Sequence, residues 1–375
     1  MSSSYLSRIG TAVPAYAYDQ MHLYAAMTRV LPLEAKQSKA LKGLYKHSGI
    51  HTRHSVLPDF LPEVADVRPE ANEDANVEAS IDTNLEAALY PYGAEEDFPP
   101  LSARMAVYNA EVLPLALAAV RDADIPLDKV THIIAVSCTG LAAPGLDLML
   151  LRALGLPAHT HRTCVHYMGC YAAVHALKQA DSICRADPES HVLLVCVELC
   201  TLHFQRDISW DNLTSSLLFA DGAAAVLVSG QAPVTPSLQM RHFYSEVALA
   251  GWDEMSWHPD EKGFLMRLGR GVPFMLQNHS KSLITSALER AGLSFENVHH
   301  WAIHPGGRLI LDLLGRELSL PPEALWSARQ VLQDYGNMSS PTILFVLKLS
   351  HVKLSVKLDH RQLICYLQPL NIIIV

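Results

Sequence analysis

The sequence predicts an α/β fold, because continuous apolar runs of strand length alternate with segments of helical periodicity. The apolar runs span residues 132–137, 191–197 and 223–228. Runs of this kind are typical of strands that are buried on both faces of a sheet. Helical patterns lie at 103–122 and 171–186, before and between these runs.

The second half of the chain repeats this alternation. A helix is predicted over 273–291, a short strand at 301–303 and another helix over 307–318, and an apolar helix follows Ser340. Each half is therefore predicted to place helices around a central sheet. Residues 61–98 are acidic and irregular and are expected to form surface structure with some helix.

The composition excludes several classes of protein. Half of the 375 residues are apolar, 18% are charged and the net charge is −9, which argues against a general nucleic-acid-binding protein. No run of eighteen or more apolar residues is present, so no membrane span is expected. The N-terminus lacks the basic start and apolar core of a signal peptide, which predicts a cytoplasmic location. None of the seven cysteines forms a Cys-x-x-Cys pair, so no metal site is expected.

Three motifs carry residues that suit covalent chemistry on an acyl group. Cys170 follows Gly169 at the start of a helical pattern, where a helix N-terminus favours a thiolate. His304 precedes Pro-Gly-Gly, which permits a sharp turn beside a substrate. Asn337 lies between Gly336 and an apolar helix and can donate to a developing oxyanion. Each has a structural alternative: a buried cysteine, a core histidine and a helix N-cap.

The residues around these three positions resemble the signature of type III polyketide synthases, the chalcone synthase superfamily. The matching stretches are Gly-Cys-Tyr-Ala, Ile-His-Pro-Gly-Gly and Gly-Asn-Met-Ser-Ser. Further matches are Ser-Cys-Thr-Gly at 137–140, Val-Glu-Leu-Cys at 197–200 and Leu-Phe-Ala-Asp-Gly-Ala-Ala at 218–224, and the similarity spans about residues 5–347. The related ketoacyl synthases share the Cys, His and Asn.

The resemblance implies a thiolase-like fold, in which two similar halves form five α-β-α-β-α layers, here 1–232 and 233–375, and a homodimer. It implies that an acyl-CoA starter is loaded on Cys170 and extended with malonyl-CoA, without a further cofactor. His304 and Asn337 would hold the thioester oxygen and the malonyl enolate, and His304 would also pair with the Cys170 thiolate.

Other site residues follow from the same resemblance. Phe219 matches the family's first gatekeeper, and Met266 stands where a second phenylalanine is usual. Cys138 replaces a threonine of the plant enzymes, as in microbial relatives. The expected lining of the cavity comprises Phe219, Met266, Cys138, Thr139, Cys200, Leu202, His203, Trp257 and Ser339. The expected CoA contacts are Lys46, Arg53, Arg308, Gly306 and Gly307.

The lysines of residues 33–46 leave two interpretations open. Lys36, Lys39, Lys42 and Lys46 follow one side of a helix, which is either a solvated face or a cationic rim for a phosphorylated substrate, with Arg53 nearby.

The C-terminus departs from the family pattern. After Gly336 the chain contains no glycine, and the Gly-Phe-Gly-Pro-Gly loop usual in the family is missing. The apolar tail could form strands, although its tight turns are hard to place without glycine. Three alternatives to a polyketide synthase stay open at this point: a ketoacyl synthase that uses a carrier protein, a cysteine hydrolase, and a catalytically impaired family member.

Overall fold

The computed structural model describes residues 3–60, 89–90, 99–234, 237–269, 271–298, 300–355, 362–367 and 372–374. The acidic segment predicted at 61–98 therefore lies outside the described residues, apart from 89–90.

The described chain alternates helices and strands along its length. The helices are α1 Gln20–Val30, α2 Ala35–His47, α3 Leu101–Ala123, α4 Leu146–Ala153, α5 Ala172–Ala186, α6 Trp210–Leu218, α7 Val272–Ala291, α8 Arg308–Glu317, α9 Trp326–Tyr335 and α10 Thr342–Ser355. The strands are β1 Ser4–Ala12, β2 Tyr16–Asp19, β3 Thr52–Ser55, β4 His132–Val136, β5 His161–Val165, β6 His191–Leu199, β7 Asp221–Ser229, β8 Leu238–Ser245, β9 Met255–Asp260, β10 Gly263–Leu268, β11 Trp301–Ile303, β12 Gln362–Leu367 and β13 Ile372–Ile374.

One nine-stranded sheet runs through both halves of the chain in the order β11-β13-β12-β8-β1-β7-β6-β4-β5. β4 pairs in parallel with β5 and β6, whereas β7 and β1 pair antiparallel with their neighbours. The three predicted apolar runs are β4, β6 and β7, and every residue of β7 is buried. The predicted α/β class is confirmed. The division at 232/233 stays a prediction.

Helices cover this sheet and bring the two halves together. α3 and α5 both pack on β1, β6 and β7, and α10 packs on β1, β7 and β11. α3 approaches β1 so closely that a Cβ at Gly10 would lie 2.1 Å from the carbonyl oxygen of Ala119. The close contact explains why glycine stands at this position of the strand.

One helix among the described residues, α3, is long and apolar enough to cross a membrane by length and composition. Its most apolar window is 39% buried in the protein, and the first turn of the helix contains Arg104, which is fully buried. Core helices of soluble proteins meet the same two criteria.

The atypical tail takes part in the sheet. β12 pairs in parallel with β8 and antiparallel with β13, and β13 pairs antiparallel with β11. The strands that the tail composition allows are therefore formed, and the connection at 368–371 lies outside the described residues.

We expect Gly10→Ala to lower the free energy of unfolding by about 1–3 kcal/mol, because the added methyl group overpacks the contact between β1 and α3. Urea unfolding measures the change. The matched control is Gly43→Ala on α2, where a Cβ meets nothing within 4 Å and where the substitution should stabilise the helix by about 0.5–1 kcal/mol. Equal behaviour of the two variants would contradict the packing described.

Candidate active site

Cys170, His304 and Asn337 surround one cavity of about 560 Å³. Cys170 lies just before α5, His304 directly follows β11, and Asn337 lies in the connection between α9 and α10. The structure thus brings Cys170 together with two residues that lie more than a hundred positions further along the sequence. α7 supplies one side of the cavity through Val272, Met275, His279, Ser280 and Leu283.

Cys170 sits in a short 3₁₀ turn, Gly169–Tyr171, that leads into α5. The turn needs a left-handed backbone at Gly169, where φ is +64°. Desolvation raises the pKa of the Cys170 thiol to about 11, although hydrogen bonds from Ser339 and Asn337 act in the opposite direction. Burial therefore favours the protonated thiol, whereas these two hydrogen bonds favour the thiolate.

His304 is 5% exposed, and neither of its ring nitrogens has a hydrogen-bond partner among the described residues. Burial lowers the pKa of this histidine to about 3, so its imidazole is neutral at physiological pH. A neutral imidazole can donate from one nitrogen and accept a proton on the other. The predicted pairing of His304 with a Cys170 thiolate stays a prediction.

Asn337 is held by both its backbone and its side chain. Its N–H donates to the carbonyl of Leu218 at 2.9 Å, and its own carbonyl accepts from Ala220 N–H at 2.9 Å. The side-chain Oδ1 accepts from Ser339 N–H at 2.8 Å. Because the oxygen is engaged in this way, the amide NH₂ is left to donate toward Cys170, consistent with the hydrogen bond that lowers the pKa of that thiol.

Glu198 is a buried residue of the site that the sequence did not single out. Its carboxylate accepts from Cys138 N–H and Thr139 Oγ1, both at 2.9 Å, and from Ser340 Oγ at 2.7 Å. Burial raises the pKa of this carboxyl to about 7. The carboxylate ties the segment after β4 to the segment before α10. The available signal was one acidic residue in the otherwise apolar run of β6.

Most of the predicted cavity lining is found in place. Seven of the predicted lining residues do line the cavity: Phe219, Met266, Cys138, Thr139, Cys200, Trp257 and Ser339. Met266 pairs with Trp257 across β10 and β9, and Trp257 Nε1–H donates to the carbonyl of Cys138 at 2.8 Å.

Leu202 is a correction to the predicted lining, since it lines neither pocket, whereas His203 lines an adjoining pocket that shares Phe219, Trp257 and Met266 with the main cavity. Leu202 is fully buried, and His203 is stacked on Phe264 with ring centroids 4.3 Å apart. Phe264 N–H donates to His203 Nδ1 at 3.0 Å, so the proton is on Nε2, which donates to the carbonyl of Thr139 at 2.8 Å. His203 is therefore a structural tie, and burial lowers its pKa to about 3.

The predicted CoA contacts separate into two groups. Lys46 is exposed near the end of α2, and Arg308 Nη1 donates to the carbonyl of His47 at 3.3 Å, so these two cations are neighbours at the surface. Gly306 lines the cavity, and Gly307 is the buried N-cap of α8.

Arg53 is a further correction. It is 5% exposed, and its guanidinium donates to Gln20 and to the carbonyls of Ser216 and Phe219. A side chain that is buried and engaged in this way cannot serve as a surface ligand for CoA phosphates.

The described residues contain no group of three or more His, Cys, Asp or Glu side chains that could hold a metal ion.

Comparison with known proteins identifies the class of protein that this fold and site define. Residues 88–233 match the N-terminal domain, and residues 250–362 the C-terminal domain, of the chalcone and stilbene synthases. Type III polyketide synthase 21 of Oryza sativa subsp. japonica is 35% identical over 320 residues, which cover 82% of this chain and 75% of that protein. Type III polyketide synthase A of Arabidopsis thaliana is 32% identical, with coverage of 73% and 72%.

The fold is shared with a solved structure, the crystal structure of PKS-I from the brown alga Ectocarpus siliculosus. Its TM-score is 0.85 at 23% identity, and the match covers 100% of this chain and 98% of that one. The chain belongs to the chalcone and stilbene synthase family of type III polyketide synthases, acyltransferase-type enzymes with a thiolase-like fold.

We expect the rate of Cys170 alkylation by iodoacetamide to rise about tenfold per pH unit from pH 7 to pH 10, because the raised pKa keeps the thiol largely protonated over this range. Peptide mass spectrometry resolves Cys170 from the other cysteines. A rate that levels off below pH 8 would show a thiolate in the free protein and contradict the desolvated thiol.

Proposed function

We propose that this chain loads an acyl-CoA starter on Cys170 and extends it by repeated decarboxylative Claisen condensation with malonyl-CoA. Cyclisation of the chain would give a pyrone, resorcinol or naphthalene-type product. The observation that carries the proposal is the placement of a thiol, a neutral imidazole and an oriented amide NH₂ around one largely apolar cavity. An apolar cavity of this size suits an acyl chain better than a charged substrate.

Loading begins with the Cys170 thiol. As its sulfur attacks the thioester carbonyl of the starter, its proton passes to the free nitrogen of neutral His304, and CoA leaves as its thiol once that proton is returned. The ring nitrogens of His304 have no hydrogen-bond partner among the described residues, so one of them is available to accept this proton.

In the extension step, His304 and Asn337 act as hydrogen-bond donors to the negative charge of an enolate. Malonyl-CoA loses CO₂, and the electron pair of the broken C–C bond becomes an enolate on the thioester oxygen. His304 N–H and the Asn337 amide donate to that oxygen. The enolate carbon then attacks the acyl group on Cys170, a C–C bond forms, and the sulfur leaves as thiolate. Such preorganised donors each contribute about 3–4 kcal/mol to lowering the barrier.

The assembly and location remain proposals of the same kind. We propose a cytoplasmic homodimer that needs CoA thioesters and no further cofactor. The support for a dimer is β5, the last strand of the sheet, in which His161, Arg162, Thr163 and Cys164 are all exposed. An exposed edge strand offers unpaired backbone groups to a second chain.

Purified protein with malonyl-CoA and acyl-CoA starters of several lengths tests the proposal. We expect CO₂ release and products from more than one extension, and Asn337→Ala should lower the kcat for malonyl-CoA decarboxylation by about 10²–10³-fold. Mass spectrometry of the products and a coupled CO₂ assay supply the readouts. Products of a single extension that require an acyl carrier protein would instead identify a ketoacyl synthase.

We expect Met266→Phe to shift the preference toward shorter starters, because a rigid ring fills space that the flexible thioether leaves to the chain. The ratio of kcat/KM for a long starter to that for a short one should fall about tenfold. Met149→Phe on α4, outside the cavity lining, is the matched control. An unchanged ratio in Met266→Phe would mean that the acyl chain does not pass this residue.

A further inference from the structure

Arg53 occupies an unusual place for a charged side chain. It lies on β3, is 5% exposed, and faces the C-terminal end of α6. Its Nη1 donates to the carbonyls of Ser216 and Phe219, both at 2.7 Å, and its Nε donates to Gln20 Oε1 at 2.8 Å.

Helix ends leave their last four carbonyls without partners inside the helix. At the end of α6, four successive carbonyls find donors from three different parts of the chain. Arg53 serves Ser216 and Phe219, Gln20 Nε2–H donates to Leu217 at 2.9 Å, and the remaining carbonyl, that of Leu218, accepts from Asn337 N–H. A cation at this end is also favoured by the helix dipole.

The methylene stem of Arg53 also packs against Gly336, the residue before Asn337. Gly336 has φ of +71°, and a Cβ added there would lie 2.8 Å from Arg53 Cγ. Arg53 thus touches the residue before Asn337 through its stem and the gatekeeper Phe219 through its head. Phe219 and Asn337 are themselves joined by a backbone bridge.

We propose that Arg53 is a positioning residue for the condensation, acting through Asn337 and Phe219. By fixing the end of α6, it holds the Asn337 amide at the enolate oxygen and the Phe219 ring at the mouth of the cavity. The inference rests on the proposed function, since it assumes that Asn337 stabilises the enolate. A misplacement of a donor by about 1 Å costs up to about 100-fold in rate.

The test compares Arg53→Met, which keeps the apolar stem, with Arg53→Lys, which keeps the charge but not the planar fork. Malonyl-CoA decarboxylation is measured on the full chain, with thermal unfolding recorded in parallel. We expect Arg53→Met to lower kcat by about 10–100-fold with KM changed less than about threefold, and Arg53→Lys to recover part of the loss.

Arg185→Met is the matched control for the loss of a carbonyl-bound arginine. Arg185 Nη2 donates to the carbonyls of Met240 at 3.0 Å and Arg241 at 3.2 Å, away from the cavity. This variant should lose stability without a change in kcat. If Arg53→Met is not recovered folded, Arg53→Lys and Gln20→Met test the positioning role instead. Both variants should lower kcat, and Gln20→Met should lower it less than Arg53→Lys.

Three outcomes distinguish a positioning role of Arg53 from a role in CoA binding and from failure of the proposed function. Folded Arg53 variants with unchanged kcat overturn the positioning role. A higher KM at unchanged kcat also overturns it and returns Arg53 to a role in CoA binding. Wild-type protein that does not decarboxylate malonyl-CoA rejects the proposed function itself, and the inference falls with it.

Discussion

The backbone bridge between the Phe219 segment and Asn337 is the interaction on which the rest of the site depends. Its two hydrogen bonds, both 2.9 Å, connect the segment between α6 and β7 in the N-terminal half with the segment between α9 and α10 in the C-terminal half. The bridge is buried, so a loss of register would leave polar groups unpaired at about 1–3 kcal/mol each. The bridge therefore fixes the positions of Phe219 and Asn337 relative to each other at the cavity.

Buried polar groups fix the same region from several sides. Glu198 gathers donors from the segments after β4 and before α10, and Asp221 accepts from Val56 N–H at 2.9 Å and from Thr201 N–H at 2.8 Å. Gly222 adds a steric limit, since a Cβ there would lie 2.4 Å from the sulfur of Met338. Satisfied networks of this kind specify one arrangement of the core. The loops around the cavity are thus held by contacts that do not involve substrate.

The sequence predicted the strands of the sheet and the three central site residues because both depend on local patterns. Apolar runs mark β6 and β7, and short motifs mark Cys170, His304 and Asn337. Charge and position in the sequence were insufficient for Arg53, because a basic residue on a short strand gives no sign of whether it meets phosphate or helix carbonyls. The lowered pKa of His304 likewise depends on burial, which a turn motif does not reveal.

The proposed chemistry requires that Cys170, rather than Cys138 or Cys200, carries the acyl group in this cavity. The most direct measurement is intact-protein mass spectrometry after incubation with an acyl-CoA and no malonyl-CoA, followed by peptide mapping. We predict a mass increase of one acyl group per chain, located on Cys170 and absent from Cys170→Ala. No adduct, or an adduct on Cys138 or Cys200 in the wild-type protein, would contradict it.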